Sequence, residues 1–140
     1  MSDPTGSSAA ARILLVEDDE AVRRALQLLL RAEGYDVRAY PSAVGLSRDP
    51  EALHADCLVA DLVMPNKDGL ELLTALRAVG WSGHAILISG YLDADREQKA
   101  REAGYAKILS KPTGDAALTR ALAELLAGRL PPAALSRPAR

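Results

Sequence analysis

Blocks of two kinds alternate along this chain: short aliphatic runs, and longer stretches in which apolar residues recur at helical spacing. Ile13 to Val16 is a compact aliphatic run that stops at four consecutive acids, Glu17 to Glu20, and predicts a first strand. From Glu20 to Glu33 the positions Val22, Leu26, Leu29 and Leu30 keep helical spacing, and Gly34 stands where a left-handed cap belongs. Asp36 to Tyr40 predicts a shorter strand. Gly45 and Pro50 then leave room only for a short or broken helix between Ser42 and Asp56. A third strand follows at Cys57 to Ala60, with a helix marked by Leu70, Leu73 and Leu76 that ends at Gly80. Ala85 to Ile88 predicts the fourth strand and Lys107 to Leu109 a short fifth. Between them, Asp93 to Ala103 is a helix of Ala and charged residues, expected to be the least firmly packed. Asp115 to Ala127, with Leu118, Leu122 and Leu125, is the last helix. Five strand–helix alternations predict an α/β fold: a three-layer, doubly wound, five-stranded parallel sheet of flavodoxin-like type in a single domain.

Composition narrows the class. A chain of 140 residues is one ordinary domain, with residues 11–128 as its ordered part. Residues 1–10, rich in Ser, Gly, Ala and Pro, and residues 129–140, Pro-containing and mildly basic, are expected to be flexible tails. A net charge of −2 without a basic stripe argues against direct nucleic-acid binding. Stretches near 18 apolar residues are absent, which argues against a membrane span. The single cysteine, Cys57, sits in an apolar run and is expected to be a buried thiol in a reducing, cytoplasmic setting.

The chain is organised around Leu58 to Gly69, where an apolar strand delivers one acid, Asp61, into a loop broken by Pro65, Asn66 and Gly69. In an open parallel sheet the carboxyl ends of all strands share one edge, and ligands bind in the crevice beyond them. That edge collects Asp18 and Asp19 after the first strand, Asp61 after the third, Ser89 after the fourth and Lys111 with Pro112 after the fifth. Singly, each has an ordinary role: Asp19 a helix cap, Ser89 a turn residue, Lys111 a solvated cation. Jointly they point to chemistry, since three neighbouring acids repel one another unless a cation holds them. Carboxylate ligands with room for phosphate oxygens suit Mg²⁺. A carboxylate such as Asp61 can act as the nucleophile in phosphoryl transfer, with Lys111 and Ser89 taking the remaining oxygens. A Gly-rich nucleotide cradle is missing, so ATP is not the expected donor.

Four motifs occur in order: V-E-D-D-E at Val16 to Glu20, D-L-V-M-P-N-K-D-G at Asp61 to Gly69, I-S-G at Ile88 to Gly90 and K-P at Lys111-Pro112. Over roughly Arg12 to Ala127 the chain resembles a response-regulator receiver domain of two-component signalling. The resemblance implies phosphorylation at Asp61, an acidic pair Asp18 and Asp19 for Mg²⁺ with Asp19 and Asp61 as direct ligands, and the backbone carbonyl of Val63 in the metal shell. It further implies Ser89 as the switch hydroxyl, Lys111 as the phosphate-pairing lysine and a cis Lys111-Pro112 bond. The implied partners are a sensor histidine kinase or a histidine phosphotransfer protein, together with a downstream protein. The chain would be a monomer or a phosphorylation-dependent dimer, and not an enzyme acting on a separate substrate.

One position departs from the pattern: Ile108 stands three residues before Lys111, where receivers usually carry Tyr or Phe. The alternatives are a phosphorylation-independent interaction module and a phosphate sink in a relay. A phosphatase of the haloacid dehalogenase type would need a second acid two residues after Asp61, where Val63 stands. With only a short tail expected after Gly128, output is expected through protein contacts at the Asp93 to Ala103 helix, the fifth strand and the last helix.

Overall fold

A computed structural model describes residues 10–64, 67–90, 92–111 and 114–127. Apart from Ala10, both expected tails lie outside the described residues. Five strands, β1 (Arg12–Val16), β2 (Asp36–Tyr40), β3 (Cys57–Asp61), β4 (His84–Ser89) and β5 (Lys107–Ser110), form one sheet in the order β2-β1-β3-β4-β5. All pairings are parallel. The connecting helices are α1 (Glu20–Ala32), α2 (Pro50–Leu53), α3 (Gly69–Ala78), α4 (Ala94–Ala103) and α5 (Asp115–Ala127).

Strand side chains point alternately to the two faces, and each face buries its own core. Leu14, Val16, Leu58, Ala60 and Leu87 pack with Leu72, Leu73 and Leu76 of α3, Ala100 of α4 and Tyr105. Ile13, Leu15, Val59, Ile86 and Ile88 pack with Leu30 of α1 and Leu118 and Leu122 of α5. Cys57 is buried in this second core. Burial on both faces is why β1, β3 and β4 read as continuous aliphatic runs rather than alternating ones.

The helix ends follow local chemistry. The Asp68 carboxylate accepts from the Glu71 amide at 2.8 Å while Glu71 accepts from the Asp68 amide at 2.9 Å, a reciprocal cap that starts α3. Leu72, Leu73 and Leu76 carry the buried face of α3, and Leu70 is only half-buried. The Gly45 and Pro50 region holds a 3-10 turn, Leu46–Arg48, and the single turn of α2 with Pro50 in its first turn. α4 buries one residue of its ten, Ala100. At about 2 kcal/mol for a buried Leu and 0.8 kcal/mol for one methyl, α3 is held far more firmly than α4. Among the described residues no helix is long and apolar enough to cross a membrane.

Candidate functional site

The strand order places β1 between β2 and β3, so the chain leaves β1 toward one side of the sheet and returns on the other. A crevice opens beyond the carboxyl ends of β1 and β3 at such a reversal. Val16 is level with Ala60, which puts Glu17 and Asp61, the next residue of each chain, side by side at that crevice. Asp61 is level with Ile88, and Ser89 with Ser110, so Ser89 and Lys111 reach the same edge from β4 and β5. The Lys111 amide donates to the Ser89 carbonyl at 2.9 Å, extending the ladder one step past β5.

Among the described residues, Glu17, Asp61 and Ser89 are the buried polar ones. Carboxylate oxygens of Glu17, Asp18 and Asp61 lie within 4.8 Å of one another, with Asp18 exposed and the other two buried. Lys111 Nζ donates to Asp61 Oδ2 at 2.7 Å and reaches Glu17 Oε1 at 2.9 Å. The Val63 amide donates to Asp61 Oδ1 at 3.3 Å, and the Asp19 amide to Glu17 Oε2 at 3.1 Å. Arg23 Nη1 on α1 donates to the Glu17 carbonyl at 3.0 Å, fixing the turn between β1 and α1. Burial pushes the Glu17 carboxyl above its ordinary value, against the partial relief of its bonds to Lys111 and to the Asp19 amide. For Lys111, burial works to lower the value, but its bonds to Asp61 and Glu17 outweigh it and hold the ammonium above the ordinary lysine value.

Asp61, Asp18, Ser89 and Lys111 therefore meet at one edge, as the strand pattern predicts. Asp19 does not join them. Its side chain caps α1, accepting from the Val22 amide at 3.0 Å, and Glu17 stands beside Asp18 and Asp61 instead. The structure thus brings Glu17, two positions earlier, and not Asp19 into the carboxylate cluster. Glu17 is the first acid after the aliphatic run, and the level of Val16 with Ala60 is what keeps it within reach of the sheet edge. Ile108 is half-buried against the α3 side of the core. Pro112 lies outside the described residues, and the expected cis Lys111-Pro112 bond with it.

The set of three carboxylates without His or Cys suits a hard cation. Three acids around a single ammonium leave an excess of negative charge that a divalent ion would neutralise.

The family model for the response regulator receiver domain matches residues 13–123. The chain belongs to the response regulator receiver domain family. It is a receiver domain of two-component signalling, and its relatives carry names of that kind. Among them, the transcriptional regulatory protein FixJ of Azorhizobium caulinodans is 36% identical over 108 residues, which is 77% of this chain and 51% of FixJ. The DNA-binding transcriptional regulator NtrC of Azospirillum brasilense is 32% identical over 127 residues, 91% of this chain and 26% of NtrC. The receiver domain thus spans about half of the first relative and a quarter of the second. The expectation of no direct nucleic-acid contact concerns this span alone, since one relative is named for DNA binding. Vibrio cholerae chemotaxis protein CheY4 superposes with a TM-score of 0.77 at 22% identity, covering 84% of this chain and all of that one, a likeness of fold.

Proposed function

We propose that this receiver domain accepts a phosphoryl group on Asp61 with Mg²⁺ and signals through protein contacts. The observation that carries the reading is the placement of Asp61, buried at the crevice between two further carboxylates and an ammonium 2.7 Å away. An Asp61 oxygen attacks the donor phosphorus, forming the O–P bond as the bond to the leaving group breaks. With a phosphohistidine donor, the P–N bond breaks and the imidazole leaves with a proton. With a small acyl phosphate, the carboxylate leaves.

Glu17, Asp18, Asp61 and the Val63 carbonyl are the groups that would hold Mg²⁺, which when bound supplies charge neutralisation between carboxylate and phosphoryl oxygens. The Val63 amide fixes one Asp61 oxygen, which orients the carboxylate before any donor arrives. Lys111 begins on the other Asp61 oxygen and transfers its charge to a phosphoryl oxygen as negative charge moves outward. Ser89, buried at the end of β4, offers its hydroxyl to a second phosphoryl oxygen. The chain acts on its own side chain and not on a separate substrate.

The donor is a sensor histidine kinase or a histidine phosphotransfer protein, and the acceptor of the signal is a downstream protein or a second phosphorylated copy. The setting is cytoplasmic. Intact-mass measurement with acetyl phosphate and Mg²⁺ tests this reading. A labile phosphate adduct is expected in the parent and not in Asp61→Asn; an unmodified parent, or an adduct that persists in the variant, would overturn it.

A further inference from the structure

Tyr105 lies between α4 and β5, buried to 3% exposure, and its hydroxyl donates to the Gly69 carbonyl at 2.7 Å across 36 residues of sequence. Gly69 is the first residue of α3, and each of its sides is engaged. Its amide donates to the Leu62 carbonyl at 3.0 Å, which closes the loop that follows Asp61. A Cβ built on it would stand 2.6 Å from the Asp61 carbonyl oxygen and 3.0 Å from Leu87 Cδ1, so the α3 backbone presses on the Asp61 peptide with no room for a side chain. At its other end Tyr105 is fastened to α4: its amide donates to the Ala100 carbonyl at 3.0 Å, beyond the left-handed Gly104. One phenol therefore connects the exit of the Asp61 loop to the last turn of the helix with the weakest grip on the core.

We propose that Tyr105 is a positioning residue that fastens the Asp61 loop and the first turn of α3 to the last turn of α4, so that the phosphorylation state of Asp61 is conveyed to α4 through this contact. The proposal rests on Asp61 being the phosphoacceptor. A displacement of the loop as phosphoryl oxygens draw on Val63, Ser89 and Lys111 moves Gly69, and Gly69 cannot move without straining or dragging the phenol. With Ala100 as its only buried residue, α4 follows at small cost, whereas α3 is anchored by three leucines.

The test compares the parent with Tyr105→Phe, which keeps the ring and removes the hydroxyl. Tyr40→Phe serves as a control, removing a phenol that reaches Asp49 instead. Amide shifts and exchange are followed with and without beryllofluoride and Mg²⁺. In the parent and the control, the adduct should alter the amides of Asp61 and Val63 and also those of Ala94 to Ala103. In Tyr105→Phe the changes at Asp61 and Val63 should persist, while the adduct-dependent change in α4 exchange falls by about five-fold, the equivalent of one neutral hydrogen bond. An α4 response of parental size in Tyr105→Phe would overturn the proposal, even if α4 were looser in both states. So would a silent α4 in a parent that binds beryllofluoride, a result that leaves Asp61 as acceptor and favours a phosphate sink. A parent that takes up no beryllofluoride would overturn the phosphoacceptor reading itself.

Discussion

Lys111 holds Asp61 through a 2.7 Å bond that spans 50 residues of sequence, and the same ammonium lies 2.9 Å from Glu17. Two buried carboxylates thus depend on one partly covered cation. Removing it leaves them facing each other and Asp18 without the ammonium that bridges them, a loss greater than that of an exposed ion pair. We expect Lys111→Met to lower stability by about 2 kcal/mol in metal-free buffer. Because the carboxylates would then lean more heavily on a bound cation, added Mg²⁺ should recover part of the loss. Urea unfolding with and without Mg²⁺ measures both effects. An unchanged metal-free midpoint would show that the bridge carries little.

Glu17 and Asp19 are separated by their partners, and two substitutions distinguish them. Glu17→Gln should weaken Mg²⁺ binding at least several-fold, since it removes a charge from the carboxylate cluster. Asp19→Ala should leave Mg²⁺ affinity nearly intact and lower stability by about 1 kcal/mol through loss of the α1 cap. Calorimetric titration with Mg²⁺ and urea unfolding of both variants check the pair. The reverse outcome would restore Asp19 as the ligand. Trp81 is a poor reporter for this titration, since its indole nitrogen donates to the Ala55 carbonyl near the opposite edge of the sheet.

Tyr105 makes a prediction at alkaline pH. Burial, with a smaller contribution from the Asp68 carboxylate, raises its phenol far above the ordinary value of 10.0. The folded chain therefore keeps this proton at a pH where the unfolded chain has shed it. The associated stability is fully present below pH 10 and declines as pH rises above it, by as much as about 1.4 kcal/mol per pH unit. Urea midpoints of parent and Tyr105→Phe between pH 8 and pH 11 should diverge, the parent falling more steeply. Parallel curves would mean that the phenol ionises freely in the folded state.

The strand and helix pattern was legible because the aliphatic runs of β1, β3 and β4 are buried on both faces and α1, α3 and α4 each begin at a capping aspartate. Even the broken segment after β2 followed from Gly45 and Pro50, and the weak packing of α4 from its Ala and charged composition. The convergence of Asp18, Asp61, Ser89 and Lys111 needed only the parallel sheet. What failed was resolution within a run of like residues. Among Glu17, Asp18 and Asp19, side-chain type does not say which still follows the strand and which has turned to cap the helix. That is decided by the level of Val16 against Ala60. The bond from Tyr105 to Gly69 was not legible either, because it depends on the packing of two helices and no local pattern records it.

The central claim is that Asp61, and not one of the neighbouring acids, receives the phosphoryl group. Borohydride reduces an acyl phosphate to an alcohol and so marks the modified carboxylate as a stable change in the peptide. After reaction with acetyl phosphate and Mg²⁺, reduction and peptide mapping should find homoserine at position 61 and unmodified Glu17, Asp18 and Asp19. A mark at Asp18 or Asp19, or none on a chain that had gained phosphate, would contradict it.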